Sequence, residues 1–570
     1  MINYYCDNCN IKVETSECPV CGERSKVTSK MYWCTSCNCP SYYEVCNVCG
    51  EQGVEIGSDV RPVFPEERLL IEIILGEPLL YLNSSVWSIG GGRYVIDGHK
   101  KIIRISDLSK LDEKKIISVY ERSQLMNNYN AFNKYAEIYI KVNRKRFEYI
   151  DSEALRYISN EVKKFSTNDM FVSFSGGKDS TVTSDLVMRA LGTPQILHVF
   201  GDTTLEFPET IEYVKKFKKN HPMTPIISAK NEEKNFEELC TLIGPPSRVM
   251  RWCCTIFKTG AITKKIDTIF KNKNKVLSFH GIRRMESASR KKYDRESQSP
   301  KITKQTVISP IIDWSDFDVW LYILSRKIDF NYAYNLGYAR VGCWCCPNNS
   351  EWSVFLSKIH MTKQYHNFRN LLVDFAKRIG KEDAEVYVDT GKWKARQGGN
   401  GIEYSKKAVV SFEPCALEEN SFNYTLSKPI SEQLYEFFKP IGTINYDLGN
   451  LRLGEVYILD SNKEPILKLI GRKGSNKLKV SIFNIKALRT NNINSAEQKV
   501  KCQLTKFQMC LNCTACPSIC KFDAISISGS YENLCYKINE DKCVHCGECI
   551  NHFTSGCYMR KVLAVKRGDK

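Results

Sequence analysis

Cysteine spacing carries the first chemical signal, because most of the 26 cysteines are separated from another cysteine by only two residues. Cys6 and Cys9, Cys18 and Cys21, Cys34 and Cys37, and Cys46 and Cys49 form four Cys-x2-Cys pairs near the N-terminus, with Cys39 left over. Two thiolates on one tight turn aim at a single ion, and two such turns complete a tetrahedron. The spacing therefore predicts two four-cysteine sites of zinc-ribbon type over residues 1–55, each for one Zn2+. Gly22 and Gly50 directly follow the last cysteine of each set, where a knuckle turn favours positive φ. Zinc closed by four thiolates is structural, which assigns these modules to docking or substrate contact. A single iron of rubredoxin type meets the same spacing.

The C-terminal cysteines are spaced differently. Cys510-x2-Cys513-x2-Cys516-x3-Cys520 is the bacterial ferredoxin spacing, and Cys543-x2-Cys546-x2-Cys549 opens a second set. In two-cluster ferredoxins the fourth cysteine of each run crosses to the other [4Fe–4S] cluster. One cluster would take Cys510, Cys513, Cys516 and Cys557, and the other Cys543, Cys546, Cys549 and Cys520. The gap before Cys557 is longer than usual, and proline follows Cys516 instead of Cys520 or Cys557. Cys502 and Cys535 are spares.

Between these ends, Met170-Phe171-Val172-Ser173-Phe174 reads as a short buried strand. It runs into Ser175-Gly176-Gly177-Lys178-Asp179-Ser180 and then a helical pattern from Thr181 to Leu191. A glycine-rich turn between strand and helix lets backbone N–H groups approach phosphate oxygens, and the helix N-terminus adds its positive end. Ser175, Ser180 and Thr181 add hydroxyls and Lys178 a charge. Asp179 follows the lysine, so this is not a Walker A loop. Arg283 and Arg284 come after the apolar run Val276–Phe279. If that run is a parallel strand, they emerge at the same sheet edge, and their planar forks suit phosphate or sulfate. A solvated basic loop is the alternative for this pair.

The segment Ser173–Ser180 resembles the PP-loop of the adenine nucleotide α-hydrolase superfamily, specifically the phosphoadenosine phosphosulfate reductase family. Phe200–Thr210, Gly281–Ser287 with Arg290, and Pro310–Trp314 through Asp318–Trp320 resemble further family segments in the same order. The resemblance covers about residues 166–400. It implies a central α/β doubly wound parallel sheet holding an adenine nucleotide at the strand C-terminal edge. The implied contacts are Ser173, Ser175, Gly176, Gly177, Lys178, Asp179, Ser180, Thr181, Arg283, Arg284 and Arg290. Cys253 and Cys254, with Cys343 and Cys346, resemble the four-cysteine [4Fe–4S] site of the family's iron–sulfur branch. Cys345 is read as a non-ligand that can exchange with either neighbour.

Sulfonucleotide reductases carry a nucleophilic cysteine in a Glu-Cys-Gly-(Leu/Ile)-His segment, which this chain lacks. Cys415, in Glu413-Pro414-Cys415-Ala416-Leu417, stands near the corresponding place without the glycine or the histidine. The branch that keeps loop and cluster without that nucleophile resembles the DNA phosphorothioation subunit, thought to adenylate its target with pyrophosphate release before sulfur enters. That chemistry implies Mg2+ across the phosphates, with Asp179 and Asp202 as carboxylates for the ion or for ordering Lys178. The implied catalytic set is Lys178, Asp179, Asp202, Arg283 and Arg284. Lys394–Gly401 reads either as a basic flap over the nucleotide or as an inert linker.

The elements that must position these groups divide the chain into five. Zinc ribbons occupy residues 1–55, an α+β connecting domain 56–165, and the PP-loop domain 166–405. A small α+β domain at 406–500 and an α+β ferredoxin-like module at 501–570 complete the chain. In the connecting domain, Val86–Ile89, Arg93–Ile96 and Ile102–Ile105 alternate as strands around the Gly90-Gly91-Gly92 turn, followed by a helical stretch from about Ser123 to Lys164. In residues 410–500 the strand-like runs are Glu455–Leu459, Ile466–Ile470 and Leu478–Phe483.

Composition sets the outer limits. A hydrophobic fraction of 42% with 26% charged residues is globular. No apolar run is long enough to span a bilayer, and residues 1–6 lack the pattern of a secretory signal, so a cytoplasmic protein without a membrane partner is expected. The net charge of +18 suggests an anionic partner. Counting the five metal centres as about −2 each removes about 10 units. The expectation is an iron–sulfur enzyme that binds ATP or a related adenine nucleotide and couples adenylation to redox sulfur transfer. It would draw on an external electron donor and use a nucleic-acid or protein sulfur acceptor. Direct reduction of a sulfonucleotide to sulfite is the second enzyme reading. A zinc-ribbon nucleic-acid-binding protein with a regulatory nucleotide site is the third.

Overall fold

The computed structural model describes the chain except residues 1–3, 7, 14–17, 23–25, 28–29, 104–107, 109–110, 288–289, 299–304, 396–410, 530–532, 552–556 and 559–570. It forms two compact units, one of residues 1–228 and 272–367, the other of residues 229–271 and 368–570. No described helix is long and apolar enough to cross a membrane. The segment expected as a flap lies, from Arg396 onward, outside the described residues.

The first unit is built on a six-stranded sheet. Its strands run in the order Ile226–Lys230, Leu197–Asp202, Met170–Phe174, Val276–His280, Gln305–Ile308 and Glu296–Gln298. Met170–Phe174 pairs in parallel with Leu197–Asp202 on one side and Val276–His280 on the other. Val276–His280 pairs in parallel with Gln305–Ile308, whereas the edge strand Glu296–Gln298 is antiparallel. The sheet is therefore mixed where a wholly parallel one was expected; the short return strand Glu296–Gln298 caps the Gln305–Ile308 edge. The central strands are continuous apolar runs because both faces are covered. Val172, Leu277 and Phe279 share a core with Val182 and Leu186 of the helix Lys178–Leu191 and with Ile150, Ala154 and Ile158 of the helix Arg144–Glu161.

The single helical stretch expected from Ser123 to Lys164 is instead a chain of helices, Glu113–Gln124, Asn130–Val142 and Arg144–Glu161. Asn143 makes the second break. Its buried amide donates to the Pro40 and Tyr139 carbonyls and accepts from the Tyr42 N–H, fixing a turn and fastening the second four-cysteine segment to the helices. The hairpin around Gly90–Gly92 forms, with all three glycines at positive φ. Its third strand is His99–Ile102, beginning straight after the turn at Asp97 and Gly98; of the run expected over Ile102–Ile105, residues 104 and 105 lie outside the described residues.

The second unit holds a six-stranded antiparallel sheet in the order Ser411–Pro414, Ser421–Thr425, Lys477–Ile482, Pro465–Ile470, Glu455–Leu459 and Thr443–Asn445. Its buried face packs on Val500, Leu504 and Phe507 of the helix Ile493–Met509. The same core takes in Ile525, Tyr536 and Ile538 of the hairpin beside the C-terminal cysteines.

Candidate functional site

The turn Ser175–Gly177 leaves the end of Met170–Phe174 and enters the helix Lys178–Leu191. It stands where the chain, having built Leu197–Asp202 on one side of that strand, returns to build Val276–His280 on the other. Such a switch point opens a crevice at the strand C-terminal ends. Gly176 adopts φ +69°, and a Cβ there would sit 3.0 Å from Thr210 Cγ2. Asn331 Nδ2 donates to the Gly176 carbonyl at 3.1 Å. Within the turn, the Ser175 N–H donates to Ser180 Oγ at 3.2 Å, and Ser180 Oγ donates to the Gly177 carbonyl at 2.9 Å. Thr181 meets the Tyr213 hydroxyl at 3.0 Å. Ser173, one residue from the strand end, lies in register with Val199 and His280 of the two flanking strands.

The loop after Val276–His280 presses against this turn. A Cβ on Gly281 would lie 2.5 Å from the Asp179 carbonyl carbon and 2.7 Å from the Ser180 nitrogen, so only glycine permits the approach. Arg283 then reaches across, its Nε 2.6 Å from Asp179 and its Nη2 2.6 Å from Asp316. Lys178 is buried, with Nζ 3.3 Å from Asp316, 3.5 Å from Asp179 and 3.2 Å from the Ala339 carbonyl. Its backbone N–H donates to the Tyr334 hydroxyl at 2.9 Å. Two cations and two carboxylates thus alternate at the mouth of the phosphate turn. Burial works against the Lys178 ammonium, but Asp179 and Asp316 outweigh it and hold its pKa above the ordinary value. Burial likewise opposes charge on Asp316, yet Lys178 and Arg283 hold that carboxyl well below the usual range. Beneath them Asp59 accepts the N–H groups of Asp316 and Phe317 at 2.9 and 3.0 Å. Burial, then repulsion from Asp316, pushes Asp59 up to about 7.

The remaining anion-binding candidates are already engaged. Arg284 pairs with Asp313 and donates to the Tyr293 carbonyl at 3.0 Å. Arg290 pairs with Glu286, which Arg340 also approaches at 3.5 Å. Asp202 accepts the Thr204 N–H at 2.9 Å, an Asx turn that leaves Thr204 at φ +63°. In the same loop Thr203 donates to Glu206 at 2.7 Å and lies 3.5 Å from Cys343 Sγ, while Cys343 bridges to Glu206 through the backbone. Cys343 is therefore tied to the loop at the sheet's C-terminal edge.

Both N-terminal cysteine sets close as the spacing requires, with all ligand atoms of each within 4.8 Å. Cys6 and Cys21 approach to 3.5 Å, Cys9 and Cys18 to 3.8 Å, Cys34 and Cys49 to 3.3 Å, and Cys37 and Cys46 to 3.7 Å. At a metal–sulfur distance of about 2.3 Å, tetrahedral geometry puts thiolates about 3.8 Å apart, so both sets fit one ion and neither fits a cubane. Gly22 and Gly50 take positive φ, as do Asn10 and Asn38 after the first pair of each set. Asparagine's tolerance of the left-handed region was the readable signal for those two turns.

The C-terminal thiols gather without closing to single-ion spacing, since among the described residues only the two N-terminal sets do so. Cys520, Cys543, Cys546 and Cys549 line one cavity. Cys513 is buried and Cys510 half-buried, with Cys557 and Cys516 as electrostatic neighbours; burial, followed by those thiols, raises both above the ordinary value. Cys253 and Cys254 lie in the second unit and Cys343 and Cys346 in the first. The Cys254 thiol is lowered to about 5, chiefly by its hydrogen bond with Cys253 and also by Arg251, whose Nη2 is 3.2 Å away.

Sequence reasoning missed Asp316, Tyr334 and Asp59. Each lies far along the chain from the phosphate turn, and no local spacing marks it.

Residues 169–349 match the model of the phosphoadenosine phosphosulfate reductase domain. An uncharacterized protein of Methanocaldococcus jannaschii is 32% identical over 262 residues, which cover 45% of this chain and 60% of that protein. A second uncharacterized protein of that organism is 30% identical over 306 residues, 52% of this chain and 62% of its own length. The chain thus spans about three fifths of each of these curated relatives. The adenosine 5'-phosphosulfate reductase of Geobacillus sp. (strain WCH70) is 27% identical over 187 residues, 32% of this chain and 74% of the reductase. The phosphoadenylyl-sulfate reductase from Candida auris, solved as a phosphate complex, aligns with a TM-score of 0.25 at 16% identity, covering 33% of this chain and 94% of that one.

Proposed function

We propose that the protein is an iron–sulfur enzyme that binds ATP or a related adenine nucleotide and activates an acceptor by adenylation, with redox sulfur transfer following. The observation that carries the reading is the phosphate turn at the switch point, roofed by the Gly281 approach and flanked by Lys178, Asp179, Arg283 and Asp316. In this reading an acceptor oxygen attacks the α-phosphorus and pyrophosphate leaves. Backbone N–H groups of the turn and Lys178 take the growing negative charge. Asp179 and Asp316 keep Lys178 protonated until a nucleotide arrives, and Asp179 with Asp202 would supply carboxylates for Mg2+. Asp316 would be a third such group, and Arg340, exposed and 3.5 Å from Glu286, a further cation for the anion. The domain match supports an adenine-nucleotide site in either enzyme reading, and the missing Glu-Cys-Gly-(Leu/Ile)-His segment is what favours this choice over simple sulfonucleotide reduction.

Two four-cysteine sites would hold Zn2+, and the ferredoxin-like sets would hold two [4Fe–4S] clusters supplied with electrons by an external donor. Cys253, Cys254, Cys343 and Cys346 would hold a third cluster on the strength of their sequence pattern. Such clusters exchange single electrons; the chain's own part is to ligate and bury them.

Direct reduction of a sulfonucleotide is the second reading, favoured by the names of several relatives and by Cys415. That thiol is held below its ordinary value, first by the Leu417 N–H and also by Lys479. Pyrophosphate release from ATP, measured with and without nucleic acid or protein acceptors, tests the first reading. Sulfite from a sulfonucleotide, abolished by Cys415→Ser, would replace it. Tight nucleic-acid binding unaffected by Lys178→Ala, with neither nucleotide turned over, would leave only a binding role.

A further inference from the structure

We propose that the set Cys510, Cys513, Cys516 and Cys557 is the inner partner of the Cys253–Cys254 pair, and that Cys520, Cys543, Cys546 and Cys549 form the outer set where electrons enter. The proposal rests on the reading of these cysteines as cluster ligands. Its evidence lies wholly within the second unit. Tyr558, the residue after Cys557, is buried, and its hydroxyl donates to Thr255 Oγ1 at 3.1 Å. Thr255 is the residue after Cys254. One hydrogen bond therefore joins the chain neighbours of two ligand sets.

Packing repeats the link. Cys254 opens the π-helical turn Cys254–Gly260, whose wide coil is a geometry that recurs at functional sites. Gly260 closes that turn against the helix Ala515–Ile519, which carries Cys516. A Cβ on Gly260 would lie 2.7 Å from Ser518 Cβ and 3.0 Å from the Ser518 carbonyl oxygen, so the two helices meet with no room for a methyl group. Lys264 and Asp523 add an ion pair at 2.6 Å. The outer set is arranged otherwise. Its cavity is rimmed by Phe522 and Val544, 41% and 55% exposed, an apolar edge open to an incoming donor.

Electron flow then has an order. With clusters bound, electrons from a one-electron donor would enter at Cys520, Cys543, Cys546 and Cys549 and would reach Cys253 and Cys254 by way of Cys510, Cys513, Cys516 and Cys557. Each step moves one electron and breaks no bond, and each cluster returns to its oxidised state as it hands the electron on. Tyr558 and Gly260 are positioning residues.

The test uses full-length protein purified anaerobically, fully reduced with dithionite and read by electron paramagnetic resonance with iron counted. The signal of the centre bearing Cys253 and Cys254, identified by its loss in Cys253→Ala, should be broadened by a reduced neighbour. That broadening should survive Cys543→Ala and vanish in Cys510→Ala. Because a missing cluster can unfold the module, Gly260→Ala supplies the second measurement: with iron content unchanged, the added methyl should weaken the broadening. Broadening lost in Cys543→Ala but kept in Cys510→Ala overturns the proposal, as does unchanged broadening in iron-replete Gly260→Ala. Iron well below about 12 atoms per chain, or no signal lost in Cys253→Ala, overturns the cluster reading instead.

Discussion

Lys178 is buried beside a phosphate turn, and its charge there depends on two carboxylates. Removing one partner of a buried ion pair typically costs 3–5 kcal/mol, because the other charge stays behind without compensation. Asp316 is 27% exposed, which screens part of that cost. Asp316→Asn is therefore expected to lower stability by about 2 kcal/mol, read as a urea midpoint shift at pH 7. A shift near zero would show that Asp179 alone holds both Lys178 and Arg283. Asp59 gives the pH counterpart. Its folded carboxyl is pushed up to about 7, first by burial and then by Asp316, against about 3.9 for an unfolded aspartate. The folded state binds that proton more tightly, so the Asp59 contribution declines as pH rises from about 4 to about 7. Asp59→Asn should remove this decline, and the stability difference between variant and wild type should change by on the order of 3 kcal/mol across that window. Urea unfolding at several pH values checks it, and a difference constant with pH would contradict it.

At the scale of elements, Gly281 sets the distance between two strand-end loops. Gly281→Ala drives a Cβ into the backbone of Asp179 and Ser180, so the phosphate turn must shift while the sheet beneath keeps its core. The expected result is a loss of adenine-nucleotide affinity of about tenfold or more, corresponding to about 1.4 kcal/mol, measured by calorimetry on protein whose circular dichroism is unchanged. The two N-terminal four-cysteine segments should part company on metal removal. Among its described residues, the first buries little beyond Cys6, Val13 and Cys18. The second packs Met31, Trp33 and Ile56 against Trp87, Val95 and Tyr139. Chelation should therefore abolish amide protection in residues 4–13 and leave much of it in Met31–Cys34 and Val54–Gly57, as read by hydrogen exchange. Equal loss in both would mean that the second segment also lacks a sufficient core.

This contrast also marks what the sequence made legible. Phosphate turn, cysteine knuckles and the Gly90–Gly92 hairpin are local, and each is written in contiguous residues. The break at Asn143 was not readable, because that asparagine leaves the helix to bind Pro40 and Tyr42 a hundred residues away. Asp316, Tyr334 and Asp59 were hidden for the same reason: they reach the site only through the tertiary fold.

The whole molecule carries a formal charge of +18 with every cysteine counted as neutral. Both N-terminal sets converge at single-ion spacing, and the C-terminal cysteines lie near one another in two groups, which leaves 16 cysteines as candidate ligands. If two zinc sites and three clusters bring about −2 each, loading lowers the net charge to roughly +8. Metal content and anion binding are thereby linked. Chelated protein with reduced thiols should elute from a cation exchanger at pH 7 at clearly higher salt than loaded protein, and should bind nucleic acid with a steeper salt dependence. The comparison needs a control for unfolding, supplied by zinc-only protein reconstituted after iron removal. Its calculated charge lies between the two, at roughly +14, and it should elute between them. If elution salt does not follow metal content in that order, the ligands do not carry the charge assigned to them, and the overall basicity would again favour a nucleic-acid partner over a local phosphate site.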